Sequence, residues 1–215
     1  KDCFDAVLIP AKVPSGDSFA YLLIQDESAL ENAYPICPIM PVQGAKALVS
    51  LTGHGRGKKR IAALMRPCEV RATVELFKLG QVDLENIVLI SMDCPGALPL
   101  TDWVKDAKRT EEVFSEVLKG ENSESLRPVC QICDKFSATG GEDLHIGILG
   151  AKKGGIFLIP RNPKGEGILD KLGISAEEDI SSWENMVNAL TEKRKEKREQ
   201  FLEEFKTKAT GLDNL

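Results

Sequence analysis

The sequence predicts an α/β fold: a mixed or mostly parallel sheet with flanking helices and a charged C-terminal helix. Three observations predict it. Wholly apolar runs of strand length recur along the chain. Between residues 61 and 119 they alternate with helical patterns, strand–helix–strand–helix, the βα alternation of an α/β sheet. The C-terminal stretch is dense in Glu, Lys and Arg and carries no strand pattern.

Taken in order, residues 5–10, Asp-Ala-Val-Leu-Ile-Pro, are the first expected strand. Phe19–Ile24 is the second, set off by the turn chemistry of Pro14, Ser15, Gly16 and Asp17. Ser28 is the expected N-cap of a short helix over 28–33. Pro35, Pro38 and Pro41 then exclude regular structure. A short helix follows over 42–51, with Ala45, Leu48 and Val49 on its apolar side. Gly53 to Lys59 reads as a solvated basic loop. Its Gly53, Gly55 and Gly57 resemble a dinucleotide fingerprint only superficially, because a helix and not a strand precedes them.

Ile61–Met65 is a core strand. The pattern over 69–79, with Val70, Val74, Phe77 and Leu79, is an amphipathic helix that Gly80 stops. Residues 87–91 are a further core strand, and 101–119 one long helix with Thr101 as its N-cap. A polar linker over 120–128 leads to Cys130-Gln131-Ile132-Cys133. Two strands follow, 144–148 and 156–160. A glycine-rich turn joins them at Lys152-Lys153-Gly154-Gly155, which reads equally as a phosphate cradle or a hairpin turn. The terminal helix is expected over 183–208. The organisation is one α/β domain over 1–182 and a charged helix and tail over 183–215.

Of the 215 residues 42% are hydrophobic, enough for a sizeable core. With 28 basic against 33 acidic residues and a net charge of -5, nucleic-acid binding is not expected. No apolar stretch approaches the roughly 18 residues of a membrane helix, so no membrane insertion is expected. No basic-then-apolar leader is legible, and a cytoplasmic location is expected. There, paired cysteines serve metal binding or catalysis better than structural disulfides. With only 2 histidines, any metal site must rely on sulfur.

Four of the six cysteines lie in segments that look like ligand loops. Cys68 in Arg66-Pro67-Cys68-Glu69 and Cys94 in Asp93-Cys94-Pro95-Gly96 each stand where an apolar strand ends. Adjacent parallel strands are about 4.8 Å apart, so both loops open on one edge of the sheet, where α/β proteins bind ligands. The Cys130-x-x-Cys133 turn aims two sulfurs at one centre. It is also the spacing of a redox dithiol, and a chance pair is the third reading. Cys68 opens a helix, whose N–H groups favour thiolate. That suits a ligand and also a nucleophile, but two histidines leave a nucleophile few bases. Four thiolates from three loops suit an iron–sulfur cluster or a zinc ion, and residue types alone do not separate these. Cys3 and Cys37 lack partners at ligand spacing and read as small, partly buried side chains. His145 reads as a hydrogen-bonded core histidine.

At this point the motifs resemble those of a known family. Residues 61–72, Ile-Ala-Ala-Leu-Met-Arg-Pro-Cys-Glu-Val-Arg-Ala, resemble the strand–Pro-Cys–helix segment of the beta subunits of deazaflavin-coenzyme-reducing hydrogenases and formate dehydrogenases. Residues 87–95, Ile-Val-Leu-Ile-Ser-Met-Asp-Cys-Pro, resemble the second cysteine loop of that family. Cys130-x-x-Cys133 and the later Asp143-Leu144-His145-Ile146-Gly147 are similar to its Cys-x-x-Cys segment and the strand after it. Order and spacing agree over residues 5–160. The Ser-Gly-Gly-type stretch that the family carries ahead of its first strand has no counterpart in these residues.

The resemblance implies one 4Fe–4S cluster held by Cys68, Cys94, Cys130 and Cys133, with FAD beside it. It implies an electron-transfer oxidoreductase subunit working between an iron–sulfur or catalytic partner subunit and a two-electron acceptor such as the deazaflavin coenzyme. FAD is expected at the same sheet edge, with Arg66 or Arg71 at its pyrophosphate and Gly147 and Gly150 permitting close backbone approach. The alternative is a zinc-stabilised, non-redox α/β scaffold or assembly subunit. In the terminal helix, Met186, Val187 and Leu190 and then Phe201, Leu202 and Phe205 flank a wholly polar stretch over 191–200. That pattern reads as a docking element, or as a solvated projecting helix.

Overall fold

The computed structural model describes residues 3–119, 123–152, 155–175 and 179–209. Six strands form one sheet: β1 (Ala6–Lys12), β2 (Phe19–Ile24), β3 (Ile61–Met65), β4 (Ile87–Met92), β5 (Leu144–Gly147) and β6 (Phe157–Pro160). Their order is β2-β1-β3-β4-β5-β6. The four central strands run parallel, and each edge strand is antiparallel to its neighbour. The sheet is therefore mixed, with a parallel centre.

Why the centre is parallel follows from the sequence pattern. All five residues of β3 are buried, as a strand covered on both faces requires. Helix α1 (Gly44–Thr52) precedes β3, and α2 (Pro67–Lys78) carries the chain from β3 to β4. One core cluster joins this layer to the sheet through Leu8, Leu48, Ala63, Met65, Val70 and Leu89. A second collects Phe19, Ile39, Leu98, Trp103, Phe114 and Leu126 around α3 (Leu100–Lys105) and α4 (Ala107–Leu118).

Several local expectations change. The helix expected over 101–119 is two helices. It breaks at Asp106, which is extended (φ -157°, ψ 95°) and accepts from Arg109 N as the cap of α4. Thr101 caps neither, since the N-cap position of α3 is Pro99. The short helix near Ser28 is a 3-10 turn, Glu27–Asn32, whose cap is Asp26; Ser28 donates to it. Helix α2 begins at Pro67, two residues before its apolar periodicity does. Pro at the first turn and the Glu69 carboxylate, which accepts from Arg66 N at 2.9 Å, fix that start. At its far end Gly80 takes φ 68°, a conformation that only glycine adopts cheaply.

A short helix α5 (Pro128–Gln131) carries Cys130. The sequence pattern gave no helix after β6, yet α6 (Pro163–Lys171) stands there, with Asn162 accepting from Lys164 N and Gly165 N. Its Asn-Pro start is a cap signature followed by too few apolar residues to show a period. Residues 120–122 of the polar linker and 153–154 of the glycine-rich turn lie outside the described residues, so the phosphate-cradle reading there has no geometry to weigh.

The last element, α7, runs Ser181–Ala209. Its inward residues recur at helical spacing: Trp183, Val187, Leu190, Thr191, Arg194 and Arg198. That inward stripe passes straight through the polar middle. No helix among the described residues is long and apolar enough to cross a membrane.

Candidate metal centre

Strand ends build the site. Parallel pairing of Met65 with Ser91 sets the exits of β3 and β4 side by side, Arg66–Cys68 beside Asp93–Cys94. Cys94 N donates to Phe136 O at 2.7 Å, which ties its loop to the chain after Cys133. Arg127 N donates to Ala97 O at 2.8 Å and holds α5 against the same loop. Gly96 makes this fit possible. At φ 122° it lies where an added Cβ would stand 2.7 Å from Leu126 and 3.3 Å from the Cys130 Cβ.

Three loops thus bring the four thiols under a common field. Cys68 is open to solvent, yet packing around its sulfur, then Cys94 and Glu69, push its thiol up to about 12. Cys133 acts on it in the same direction. Burial raises Cys130 too, against a hydrogen bond from the Ala97 backbone, and Cys94 raises it further. The helix N-terminus at Cys68 was expected to favour thiolate; desolvation and neighbouring sulfurs outweigh it. Such thiols ionise when a metal takes the proton's place.

Two buried cations face this group. Arg66, 9% exposed, directs Nη1 to Gly96 O at 3.1 Å and Cys94 Sγ at 3.8 Å, and Nη2 to Cys37 O at 2.5 Å. Burial favours its neutral form, but Cys94 and Glu69 outweigh burial and raise its pKa. Arg194 of α7, 7% exposed, donates to Cys133 O at 3.1 Å and Pro95 O at 2.9 Å, and its guanidinium lies 4.4 Å above the Phe136 ring. Burial lowers its pKa, and Cys133, Cys94 and Cys130 partly restore it. Among the described residues no carboxylate forms an ion pair with Arg194.

Four cysteine thiols from three loops are a donor set that suits a sulfur-bound metal centre. No three of the His, Cys, Asp and Glu side chains among the described residues close on one ion.

Behind Cys94 lies a buried network that sequence reasoning missed. Asp93, 2% exposed, accepts from Ile148 N at 2.8 Å, Leu149 N at 3.1 Å and Trp183 Nε1 at 2.9 Å through one oxygen. The other oxygen takes Ser137 Oγ at 2.5 Å and His145 Nε2 at 3.0 Å, and His145 Nδ1 meets Ser91 Oγ at 2.6 Å. Burial alone would raise the carboxyl, but these hydrogen bonds bring it below its ordinary value. One carboxylate therefore fixes the Cys94 loop, the exit of β5 and the first turn of α7. An acid ending an apolar strand, beside a loop cysteine, was the available signal. His145 is a core histidine, as read from the sequence.

The residues expected at a flavin separate. Arg66 is buried with its donors engaged. The close approach at Gly147 and Gly150 is taken by α7. A Cβ at Gly147 would meet the Trp183 ring at 2.7 Å, and one at Gly150 would meet Ser182 O at 2.5 Å. Only Arg71 faces open space, in a groove of about 410 Å³ that it shares with Cys68, Glu75, Gly140 and Gly141. As a set, these four residues do not fit one flavin pocket.

An α/β sheet with three cysteine segments at one edge is the class that fold and site define, and relatives give it a closer setting. No family model matches the chain. Over 58 residues it is 38% identical to the F420-dependent formate dehydrogenase 1 subunit beta of Methanococcus maripaludis, covering 27% of this chain and 14% of that protein. Over 126 residues it is 30% identical to the F420-dependent formate dehydrogenase subunit beta of Methanocaldococcus jannaschii, covering 46% of this chain and 33% of that protein. The matches thus span a third or less of those relatives. In fold it is similar to a chain of the F420-reducing NiFe hydrogenase complex from Methanosarcina barkeri, with a TM-score of 0.65 and 14% identity over 96% of this chain and 81% of that one. At that identity the likeness is one of fold. The resemblance read from the cysteine motifs leads to the same beta subunits as the sequence relatives.

Proposed function

We propose that this chain is an iron–sulfur electron-transfer subunit, or part of one, in an oxidoreductase complex of the F420-dependent formate dehydrogenase or hydrogenase kind. Cys68, Cys94, Cys130 and Cys133 would hold one 4Fe–4S cluster. The observation that carries the reading is Arg194: a buried guanidinium bonded to the carbonyls of Cys133 and Pro95, beside the cysteine loops, with no carboxylate partner among the described residues. A buried cation needs a compensating anion. Neutral thiols do not supply one, whereas four metal-bound thiolates do, and the redox enzymes among the relatives favour a cluster over zinc as that metal centre.

When bound, such a cluster supplies one-electron transfer at a potential set by net charge, hydrogen bonds and exposure. The chain's own residues would supply those settings. Arg66 and the Ala97 N–H act on the sulfurs. Asp93 pins the Cys94 loop, and α7 covers one side. Electrons would pass between a partner subunit and a two-electron acceptor such as the deazaflavin coenzyme. The groove beside Cys68 and Arg71 would be the seat of FAD on this chain.

Anaerobic reconstitution with iron and sulfide tests the reading. The expected product is brown, carries four irons per chain and bleaches on reduction. A colourless protein that retains zinc in preference to iron would support the scaffold reading instead. Retention of FAD by the reconstituted protein tests the groove; a product that keeps its iron but no flavin removes FAD from this chain.

A further inference from the structure

Helix α7 is fastened to the residue beside each of two proposed ligands. Trp183 donates to Asp93, next to Cys94, and Arg198 pairs with Asp134, next to Cys133, at 2.9 Å. Between them, Arg194 reaches Cys133 O and Pro95 O. All three side chains lie on the one inward stripe of the helix. Val187, Leu190 and Thr191 share that stripe and Lys197 pairs with Glu124 at 2.7 Å, while Met186, Phe201 and Phe205 are 49%, 48% and 62% exposed. The helix thus lies as a strap across the cysteine loops, and its central fastening is a desolvated cation bonded to the carbonyls of Cys133 and of Pro95, the residue after Cys94.

From this, and resting on the cluster reading above, we infer that Arg194 is the positioning residue that couples the seating of α7 to the charge of the cysteine site and tunes that site's redox potential. Two consequences follow from electrostatics. Burying a guanidinium beside neutral thiols is unfavourable, and burying it beside a cluster with four thiolates is favourable. By linkage, loading the site must tighten the strap, and the strap must tighten loading. A fixed positive charge also stabilises the reduced cluster, which carries one more negative charge, over the oxidised one. Removing the charge lowers the potential.

The test uses the full chain, its R194K and R194M variants, and anaerobic reconstitution with iron and sulfide. Three quantities are read: iron content, midpoint potential by spectroscopic redox titration, and amide exchange over α7 with and without iron. In the wild type, loading slows exchange across α7. In R194M the midpoint falls, with a tenfold loss of preference for the reduced state corresponding to about 59 mV, and loading slows α7 exchange less. R194K keeps the charge but not the planar fork that spans two carbonyls. It retains most of the potential while α7 exchanges faster. It carries the test alone where R194M does not fold, and an R194K midpoint lowered by about 59 mV or more overturns the electrostatic role. A wild-type chain that takes up no iron and sulfide fails the cluster reading and this inference together. A wild type that loads, beside an R194M with unchanged midpoint and unchanged α7 protection, fails this inference alone.

Discussion

The indole of Trp183 donates to Asp93 at 2.9 Å and so joins the first turn of α7 to the residue preceding Cys94. Both partners are buried, and the acceptor is a carboxylate. A hydrogen bond to a charged group is worth about 1.5–3 kcal/mol, so W183F, which keeps an aromatic ring but removes the N–H and part of the indole, is expected to cost at least that much. D93A strands five donors at once and should cost more, about 3–5 kcal/mol. Denaturant unfolding followed by circular dichroism measures both. Equal stability of wild type and W183F would show that this bond does not hold the helix.

Gly147 and Gly150 should prove intolerant of alanine for a packing reason. At Gly147 the new methyl would stand 2.7 Å from the Trp183 ring, which must move, at about 1–3 kcal/mol. At Gly150 the obstacle is backbone, Ser182 O at 2.5 Å, and φ is 68°, so G150A should be the worse of the two. Tryptophan fluorescence reports the first, since only Trp103 emits besides Trp183. A G147A spectrum matching wild type would show that the ring does not seat there.

Glu69 holds the other side of the cysteine edge. Buried at 1% exposure, it accepts from Tyr21 Oη at 2.7 Å, Gly44 N at 2.7 Å and Arg66 N at 2.9 Å. Y21F should cost about 1.5–3 kcal/mol, and E69A more, because three donors lose their partner. In a double-mutant cycle the pair should couple by about 0.5–3 kcal/mol. Strict additivity would mean that the hydroxyl and the carboxylate do not interact.

Replacing Cys68, Cys94, Cys130 or Cys133 singly with serine should remove most of the iron from anaerobically reconstituted protein. Cys3→Ser and Cys37→Ser should not. Cys37 donates its S–H to Tyr34 O at 2.9 Å, and burial pushes its thiol up to about 12, both marks of a packed thiol. Iron content equal to wild type in Cys130→Ser would sink the ligand assignment. Loss of iron in Cys37→Ser, with the fold intact, would demand a different set.

Ending the chain after Gln200 removes Phe201, Leu202 and Phe205, exposed at 48%, 46% and 62%, and keeps Arg194 and Arg198. Stability should change by less than about 0.5 kcal/mol, as for exposed residues generally. Weaker binding to a co-purified redox partner would mark this end as a docking element. Unchanged binding would leave it a solvated projection. Starting the deletion at residue 184 also removes the fastening over the cysteine loops, so iron retention should fall as well.

The sequence by itself determined the layered α/β plan. Strand-length apolar runs such as Ile61–Met65 and helical periods such as that over 69–79 are local patterns, and a short window holds all the information they need. Loop cysteines at the ends of two such strands were legible for the same reason. Turn chemistry decided more than the pattern showed: Asp106 divides one expected helix, and Asn162-Pro163 starts an unexpected one, because a single cap outweighs a weak period. What only the tertiary structure decided are the meetings of residues far apart in the chain. Asp93 finds Trp183, Tyr21 finds Glu69, and Arg194, lodged in a stretch that reads as a solvated charge run, turns inward to the cysteine loops. Each is a polar group whose burial depends on a partner elsewhere, and no local window records whether that partner will arrive.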